Sequence, residues 1–171
     1  MTIHSEHPFL EPESERDPGR RLRGRLGGAV TLWTAGSGTQ RTGLTISSVM
    51  VAHGDPAHVL GLVDPESDLA AMSAGGTAVV QLLQWSHRDL ADAFAGVAPA
   101  PGGPFRMGTW EESEWGPVLQ GVSAWAGVRF TGSMTEVGWS LLLDGVVEHV
   151  DLSEETAPPL VHRRGRYVRP A

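Results

Sequence analysis

The sequence of 171 residues contains no cysteine, no lysine and no asparagine, and two of these absences exclude whole classes of chemistry. Without cysteine, the chain can form no disulfide, no thiolate nucleophile, no cysteine-ligated zinc site and no ordinary iron–sulfur cluster. Without lysine, it can form no internal Schiff base with pyridoxal phosphate and has no Walker-type phosphate lysine. All thirteen basic residues are therefore arginines.

Positive charge and long apolar runs are also scarce. Thirteen basic against twenty acidic residues give a formal net charge of −7, so we expect neither nucleic acid nor a membrane as a partner. No apolar run approaches the roughly 20 residues that span a bilayer. The first residues are acidic and contain prolines, unlike a secretory signal. These features predict a cytoplasmic protein.

Familiar catalytic signatures are missing as well. The seven histidines are scattered and none has the spacing of a metal-binding motif, so we expect no metal site. The glycine-rich stretches match neither a GxSxG nucleophile turn nor a GxGxxG dinucleotide fingerprint. The sequence therefore indicates neither a serine hydrolase nor a Rossmann enzyme.

The pattern along the chain predicts one domain with a tail. Residues 1–19 are acidic and rich in proline, which is typical of a flexible N-terminal arm, and residues 20–171 form the domain. The arginine-rich stretch 20–28 predicts a short helix. The clearest helix follows Ser86, which we expect to be its N-cap, and ends at Gly96. About seven short β-rich segments with few helices predict a mainly β barrel or sandwich.

A strand rich in hydroxyl groups lies between residues 41 and 52. Thr45, Ser47 and Ser48 place hydroxyl and backbone groups along one extended segment, which suits a flat ring with heteroatoms along its edge. An ordinary amphipathic strand explains the same alternation of these residues with Leu44, Ile46 and Val49. Periodicity alone favours the ordinary strand.

The order of the segments resembles a known family. The strings AVTLWTA, GSGTQRTGLTISSVMVAHGDPAHVLGLV, TAVVQLL, SHRDLADAFAG, GPVLQGVSAWAGVRF and PLVHRRGRYVRPA look like those of flavin reductase-like proteins with an FMN-binding split barrel. The resemblance runs from about Leu22 to Arg169. It implies an all-β fold, namely a Greek-key split β-barrel, and a homodimer. It also implies FMN as cofactor, with FAD as an alternative, and NAD(P)H as co-substrate.

The resemblance also implies positions for the cofactor. The segment Leu44, Thr45, Ile46, Ser47 and Ser48 matches the family's ring-binding strand, and Val63, Asp64, Ser67 and Asp68 match its phosphate turn. Gln81 and His87 stand at further cofactor positions. Arg164 and Arg166 in the closing segment are candidates for the phosphate charge, and His162 lies in the same segment. A solvated basic C-terminus explains the two arginines equally well.

Two departures from the family pattern stand out. The phosphate turn carries three carboxylates, Asp64, Glu66 and Asp68, with no nearby cation in the sequence. Where many relatives have a Gly-Asp-His run, this chain has Gly138, Trp139 and Ser140. Trp139 is then a core residue, a stacking partner for flavin or substrate, or a block to the nicotinamide. Trp139 and His162 are the candidate catalytic residues.

The sequence therefore favours hydride transfer from NAD(P)H to flavin, with a flavin-dependent monooxygenase as a partner for the reduced product. The alternative is a non-catalytic flavin-binding or ligand-binding dimer that has lost nicotinamide use. A third hypothesis is an empty scaffold that acts through the long loop around Trp110 and Trp115, which could also form an aromatic lid.

Overall fold

The computed structural model describes residues 17–155 and 157–169. Its elements follow the chain as α1 (Pro18–Leu26), β1 (Gly28–Ala29), β2 (Thr31–Ala35), β3 (Thr42–Ile46), β4 (Val49–Ala52), β5 (His58–Val63), α2 (Asp68–Met72), β6 (Thr77–Leu82), α3 (Arg88–Phe94), β7 (Trp110–Glu112), β8 (Pro117–Leu119), β9 (Ala124–Val137), β10 (Ser140–Leu152), β11 (Val161–Arg163) and β12 (Arg166–Val168). Short 3-10 turns cover Gly38–Gln40, Trp85–His87 and Pro104–Met107. The mainly β fold with short helices is the one that the sequence predicts.

A curled antiparallel sheet forms the body of the protein. Its seven strands lie in the order β3-β2-β6-β9-β10-β5-β4. The two edge strands, β3 and β4, are consecutive in the chain and only Ser47 and Ser48 separate them, so the two edges of the sheet come together at this bend. The Leu62 N–H donates to the Ser48 carbonyl at 3.0 Å and continues the β4–β5 ladder into the bend. Two smaller sheets flank it, one of β1, β11 and β12 and one of β7 and β8. The result is a partly closed barrel.

Two apolar clusters fill the structure because the strands bury alternate side chains. Inside the barrel, Trp33 stacks on Phe130 with ring centroids 6.3 Å apart. The second cluster lies between the sheet and α3, where Phe94 meets Phe105 and Trp110 edge to face. Trp110 therefore packs against this second cluster, and the expectation that it forms a lid is wrong.

Trp115 also packs against the fold. Its ring covers Gly127 at a distance that leaves no room for a Cβ. It stacks on His149 with centroids 5.1 Å apart, and its Nε1 donates to Glu148 at 2.8 Å. The long loop is therefore anchored to β9 and β10 by this tryptophan.

Some boundaries differ from those predicted. The strand expected between residues 41 and 52 is interrupted at Ser47 and Ser48, which separate β3 from β4. The N-cap expected at Ser86 is wrong, because a 3-10 turn precedes α3 and the side chains of Gln84 and His87 cap that turn reciprocally. The Ser86 hydroxyl is not needed as a cap, since the side chains of Gln84 and His87 already bond the backbone N–H groups at the start of the turn.

The first helix begins before the expected domain boundary. The Asp17 carboxylate caps it by accepting from the Arg20 N–H at 3.1 Å, and Pro18 occupies the first turn. Gly27, at φ 66°, ends it. The predicted arm thus shares its last residues with α1, and its residues 1–16 lie outside the described part of the chain.

Membrane-spanning helices and metal clusters are both absent from residues 17–155 and 157–169. Among these residues, no helix is both long and apolar enough to cross a membrane. The same residues contain no group of three or more histidine and carboxylate side chains placed to hold a metal ion.

Candidate functional site

The bend between β3 and β4 is the best-formed element of the candidate site. Ser47 and Ser48 are half-buried there, and the Ser48 carbonyl accepts from Leu62 of the neighbouring strand. Within the described residues, neither serine hydroxyl has a hydrogen-bond partner. Two hydroxyls that are fixed by the backbone and free at the side chain can hydrogen-bond the polar edge of a flat ring.

The other three residues of the predicted ring-binding segment have structural partners. The Thr45 hydroxyl donates to the Ala91 carbonyl of α3 at 2.7 Å. Ile46 is buried, and its carbonyl accepts from the Thr31 hydroxyl at 2.7 Å. Leu44 packs against the apolar cluster inside the barrel. Their side chains therefore shape the strand, and side-chain donors for a ligand remain only at Ser47 and Ser48.

His162 is brought to this bend by Gly28. Gly28 pairs with His162 across β1 and β11, and a Cβ added to Gly28 would lie 2.6 Å from the Ser47 carbonyl oxygen. The absence of a side chain at residue 28 thus allows the terminal hairpin to approach Ser47. The predicted catalytic histidine and the predicted ring-binding serines are neighbours through this glycine.

The environment of His162 keeps its imidazole neutral. Burial lowers the pKa of His162 below 6.5, the nearby Arg23 lowers it further, and Asp92 acts in the opposite direction. The ring meets Tyr167 edge to face, with centroids 5.7 Å apart. Burial and Asp92 together raise the pKa of Tyr167. A neutral imidazole offers one donor and one acceptor to a ligand near Ser47.

The predicted phosphate turn forms hydrogen bonds within itself that engage most of its donors. The Asp64 carboxylate accepts from the Glu66 N–H at 2.8 Å. The Ser67 hydroxyl donates to the Asp64 carbonyl at 2.7 Å and accepts from the Ala70 N–H at 3.2 Å. Val63 is buried in the barrel, whereas Asp64 and Asp68 are exposed. This turn, taken alone, does not fit a phosphate dianion, because its carboxylates repel one and the Ser67 hydroxyl is occupied.

Trp139 lies at the same end of the sheet as this turn. Leu141 pairs with Val63, so the β9–β10 hairpin tip with Trp139 extends beyond the end of β5. The Trp139 side chain is 95% exposed. The alternative that Trp139 fills the core is therefore wrong, and the choice between stacking and blocking stays open.

Gln81 does not face a ligand. Its side chain is fully buried, its Nε2 donates to the Thr34 hydroxyl at 3.0 Å, and its Oε1 accepts from the Leu119 N–H at 2.8 Å. Gln81 therefore fastens β8 to the sheet, and its assignment to the cofactor is wrong because no ligand can reach it.

His87 lies away from the bend, at a different opening. It lines a cavity of about 580 Å³ together with Asp89, Thr109 and Gln120. Its Nδ1 accepts from the Gln84 N–H at 3.1 Å, and burial lowers its pKa below 6.5. Within the described residues no contact joins His87 to Ser47, and its assignment to the cofactor stays a prediction.

Arg164 and Arg166 occupy the terminal hairpin. Both are exposed, and the Arg164 N–H donates to the Gly24 carbonyl of α1 at 2.8 Å. No described contact joins either arginine to the turn at Ser67. Their role at a phosphate stays a prediction.

Sequence reasoning missed Gly28 and the Asp92–Tyr167 pair. Gly28 acts through its pairing with His162, on a strand more than a hundred residues away. Asp92 of α3 acts on Tyr167 of β12. Nothing local in the sequence indicates either contact.

Comparisons with known proteins identify the family of this chain. The flavin reductase like domain matches residues 23–171. An NADH:FMN oxidoreductase of Rhodococcus erythropolis is 30% identical over 146 residues, which cover 82% of this chain and 74% of the relative. An FMN reductase (NADH), RutF, of Ancylobacter novellus is 34% identical over 112 residues, covering 64% of this chain and 61% of the relative.

Solved structures share the fold. The NADH:FAD oxidoreductase SgcE6 of Streptomyces globisporus superposes with a TM-score of 0.79 at 23% identity, covering 95% of this chain and 96% of that one. A flavin reductase domain protein of Arthrobacter sp. FB24 gives a TM-score of 0.77 at 20% identity, covering 90% and 94%. These likenesses confirm the split-barrel fold. With residues 23–171 matched by the family's domain, the chain belongs to the flavin reductase-like family.

Proposed function

We propose that this protein transfers hydride from NAD(P)H to a flavin, with FMN as the preferred flavin and FAD as the alternative. The observation that carries the proposal is the pair of hydroxyls at Ser47 and Ser48, which have no hydrogen-bond partner among the described residues and lie against Gly28, the strand partner of His162. The relatives named NADH:FMN oxidoreductase and FMN reductase (NADH) support the same reaction. A solved relative described as a complex with NAD and FAD fragments supports the same pair of ligands.

The bound flavin would supply the redox chemistry by accepting a hydride from reduced nicotinamide. The protein then needs no side-chain acid or base. Ser47 and Ser48 would hydrogen-bond the polar edge of the ring, and His162 would add one donor from the adjacent hairpin. Trp139 would lie over an exposed ring at the open end of the sheet.

The flavin phosphate requires a cation from outside the turn at Ser67. Arg164 and Arg166 are the candidates, because guanidinium groups bind phosphate in a bidentate manner. Both arginines belong to the hairpin that carries His162.

The proposal is tested by steady-state oxidation of NADH and of NADPH with added FMN or FAD. We expect oxidation to depend on both flavin and protein. The variant S47A/S48A should raise the KM for FMN by about tenfold, because two hydrogen bonds to the ring are lost. The control S37A removes an exposed hydroxyl that caps nothing in the turn between β2 and β3. An S47A/S48A variant with an unchanged KM for FMN would contradict the site.

A specific observation also favours the non-catalytic alternative, namely the acidic turn at Asp64 together with an exposed Trp139 and Ser140 in place of the family's Asp-His pair. The relatives named NADH:FMN oxidoreductase and FMN reductase (NADH) favour a catalytic protein. Flavin uptake without any oxidation of NADH or NADPH would decide for the alternative.

We also propose that a second copy of the chain covers β4. This strand is at the edge of the sheet, and Met50 and Val51 are 63% and 71% exposed. An apolar edge strand is an aggregation hazard unless it is covered. Sedimentation velocity should give a dimer, and M50E/V51E should give a monomer. The control V97E introduces one glutamate at another exposed valine and should stay dimeric.

The fate of the product is a further proposal. Reduced flavin that leaves the protein can serve a separate flavin-dependent monooxygenase. A solved relative described as nitrilotriacetate monooxygenase component B supports this role. The cytoplasmic location expected from the sequence stays a prediction.

A further inference from the structure

Arginines from both ends of the chain meet on one surface. The N–H of Arg164 donates to the Gly24 carbonyl of α1 at 2.8 Å, and the Nε of Arg163 donates to the Arg25 carbonyl at 3.3 Å. These contacts join α1 to the terminal hairpin. We call the resulting surface the arginine face; its members are Arg20, Arg21, Arg23, Arg25 and Arg163. Arg164 and Arg166 stay candidates for the flavin phosphate.

Within residues 17–155 and 157–169, the arginine face forms no ion pair. The ion pairs found among the described residues are His58–Asp144, Arg88–Asp89 and Arg129–Glu148, and none includes an arginine of this face. The single carboxylate within the described part of α1 and its cap is Asp17, which caps the helix. The Nε of Arg21 is buried without a hydrogen-bond partner there. Like charges gathered without partners in an acidic protein indicate an anionic ligand.

The arginine face borders the candidate site. Arg23 lies close enough to His162 for its charge to act on the imidazole, and His162 is paired with Gly28, which contacts Ser47. A dinucleotide whose nicotinamide lies over a flavin ring held at Ser47 can therefore extend its diphosphate along α1. The nine residues of α1 span about 13 Å at about 1.5 Å per residue, which exceeds the reach of one phosphate monoester.

We propose that the arginine face binds the diphosphate of the nicotinamide dinucleotide. The inference rests on the proposed function and assigns residues of α1 to the co-substrate. Arginine is suited to this task because its planar fork binds two phosphate oxygens at once and stays charged at every relevant pH. The remaining surface carries the net negative charge, so a compact diphosphate suits the face better than a long polyanion.

The direct test measures the binding of ADP-ribose to the flavin-free protein by isothermal titration calorimetry. ADP-ribose carries the diphosphate and adenosine but no nicotinamide, so the readout does not depend on turnover. The variant R21Q/R23Q/R25Q should weaken ADP-ribose binding by about tenfold or more and leave the affinity for FMN within about twofold. The control R106Q changes an exposed arginine of the 104–107 turn and should leave both affinities unchanged.

Four results would overturn the inference. The wild-type protein could fail to bind ADP-ribose, or the triple variant could bind it unchanged. The triple variant could lose affinity for FMN and keep its affinity for ADP-ribose. That result would assign the arginine face to the flavin phosphate. A single-stranded oligonucleotide that binds more tightly than ADP-ribose would assign the face to nucleic acid.

Two controls keep the outcome decisive. Thermal unfolding checks that the triple variant is folded. If it is not folded, the single variant R23Q should still weaken the binding of ADP-ribose by about threefold. The proposed function fails separately, since a wild-type protein that oxidises neither NADH nor NADPH with flavin present would refute it. If the wild-type protein oxidises NADH and the triple variant binds ADP-ribose as tightly as the wild type, only the proposal for the arginine face is refuted.

Discussion

The N–H of Leu62 donates to the carbonyl of Ser48 at 3.0 Å, and this hydrogen bond extends the β4–β5 ladder into the bend that connects β4 with β3, the opposite edge strand of the sheet. It fixes the bend at which neither the Ser47 nor the Ser48 hydroxyl has a hydrogen-bond partner among the described residues. The same bend lies against Gly28, which pairs with His162 across β1 and β11. The candidate site therefore depends on backbone contacts among three separate parts of the chain.

Gly28→Ala tests these contacts. The added Cβ would lie 2.6 Å from the Ser47 carbonyl oxygen, so the bend or the terminal hairpin must move. We expect a loss of stability of about 1–3 kcal/mol, as for other overpacked sites, and weaker FMN binding. The control Gly24→Ala places a Cβ 3.7 Å from Arg164 Cα, an ordinary contact. Urea unfolding and FMN fluorescence titration compare the two variants. Equal stability and equal FMN affinity in Gly28→Ala and Gly24→Ala would contradict the close contact between Gly28 and Ser47.

Gln81→Met tests the interpretation of Gln81 as a structural residue. Methionine keeps the approximate volume but leaves the Leu119 N–H and the Thr34 hydroxyl without their amide partner. We expect a loss of about 1–3 kcal/mol in the free energy of unfolding, with FMN affinity unchanged in the folded fraction. Gln120→Met, which removes one exposed contact to Glu111, should cost far less. If Gln81→Met loses FMN binding without losing stability, Gln81 belongs to the cofactor site after all.

Trp139→Ala separates a binding role from a structural one. Because the side chain is 95% exposed, its removal should change the free energy of unfolding by no more than about 0.5 kcal/mol. An aromatic partner contributes about 0.5–1.5 kcal/mol when it stacks, so the KM for FMN or NADH should rise by about threefold to tenfold. Trp139→Phe should retain most of the affinity. A faster reaction in Trp139→Ala would instead identify Trp139 as a block to the nicotinamide.

Two half-buried histidines lead us to expect that stability falls in mild acid. Burial is the main cause that lowers the pKa of both His87 and His162 in the folded protein, from 6.5. Below about pH 6.5 the unfolded chain binds more protons at these positions, so the free energy of unfolding decreases as the pH falls. Urea unfolding at about pH 7.5 and about pH 5.5 should show this decrease.

The variant H87Q/H162Q should reduce that difference between the two pH values, because neither position can then take up a proton. H53Q, which replaces an exposed histidine between β4 and β5, should keep it. A difference that is the same size in H87Q/H162Q and in the wild-type protein would rule out these histidines as its source.

Local patterns predicted much of the fold but only part of the site. Alternating apolar residues identified most of the strands, and the Gly96 stop of α3 followed from its composition. The break at Ser47 and Ser48 was hidden because β-rich residues continue on both sides of it. The resemblance to the family alone assigned Gln81 to the cofactor. Its structural role could not be predicted because its partner Leu119 is 38 residues away, and no local rule connects the two.

Anaerobic mixing of the protein, FMN and NADH tests the central claim most directly. Loss of the visible absorbance of oxidised flavin, recorded by spectrophotometry, reports hydride transfer without any downstream acceptor. We predict rapid bleaching with wild-type protein and slower bleaching with S47A/S48A at limiting FMN, and none when protein is omitted. Absorbance that stays constant with protein and either NADH or NADPH present would contradict the account.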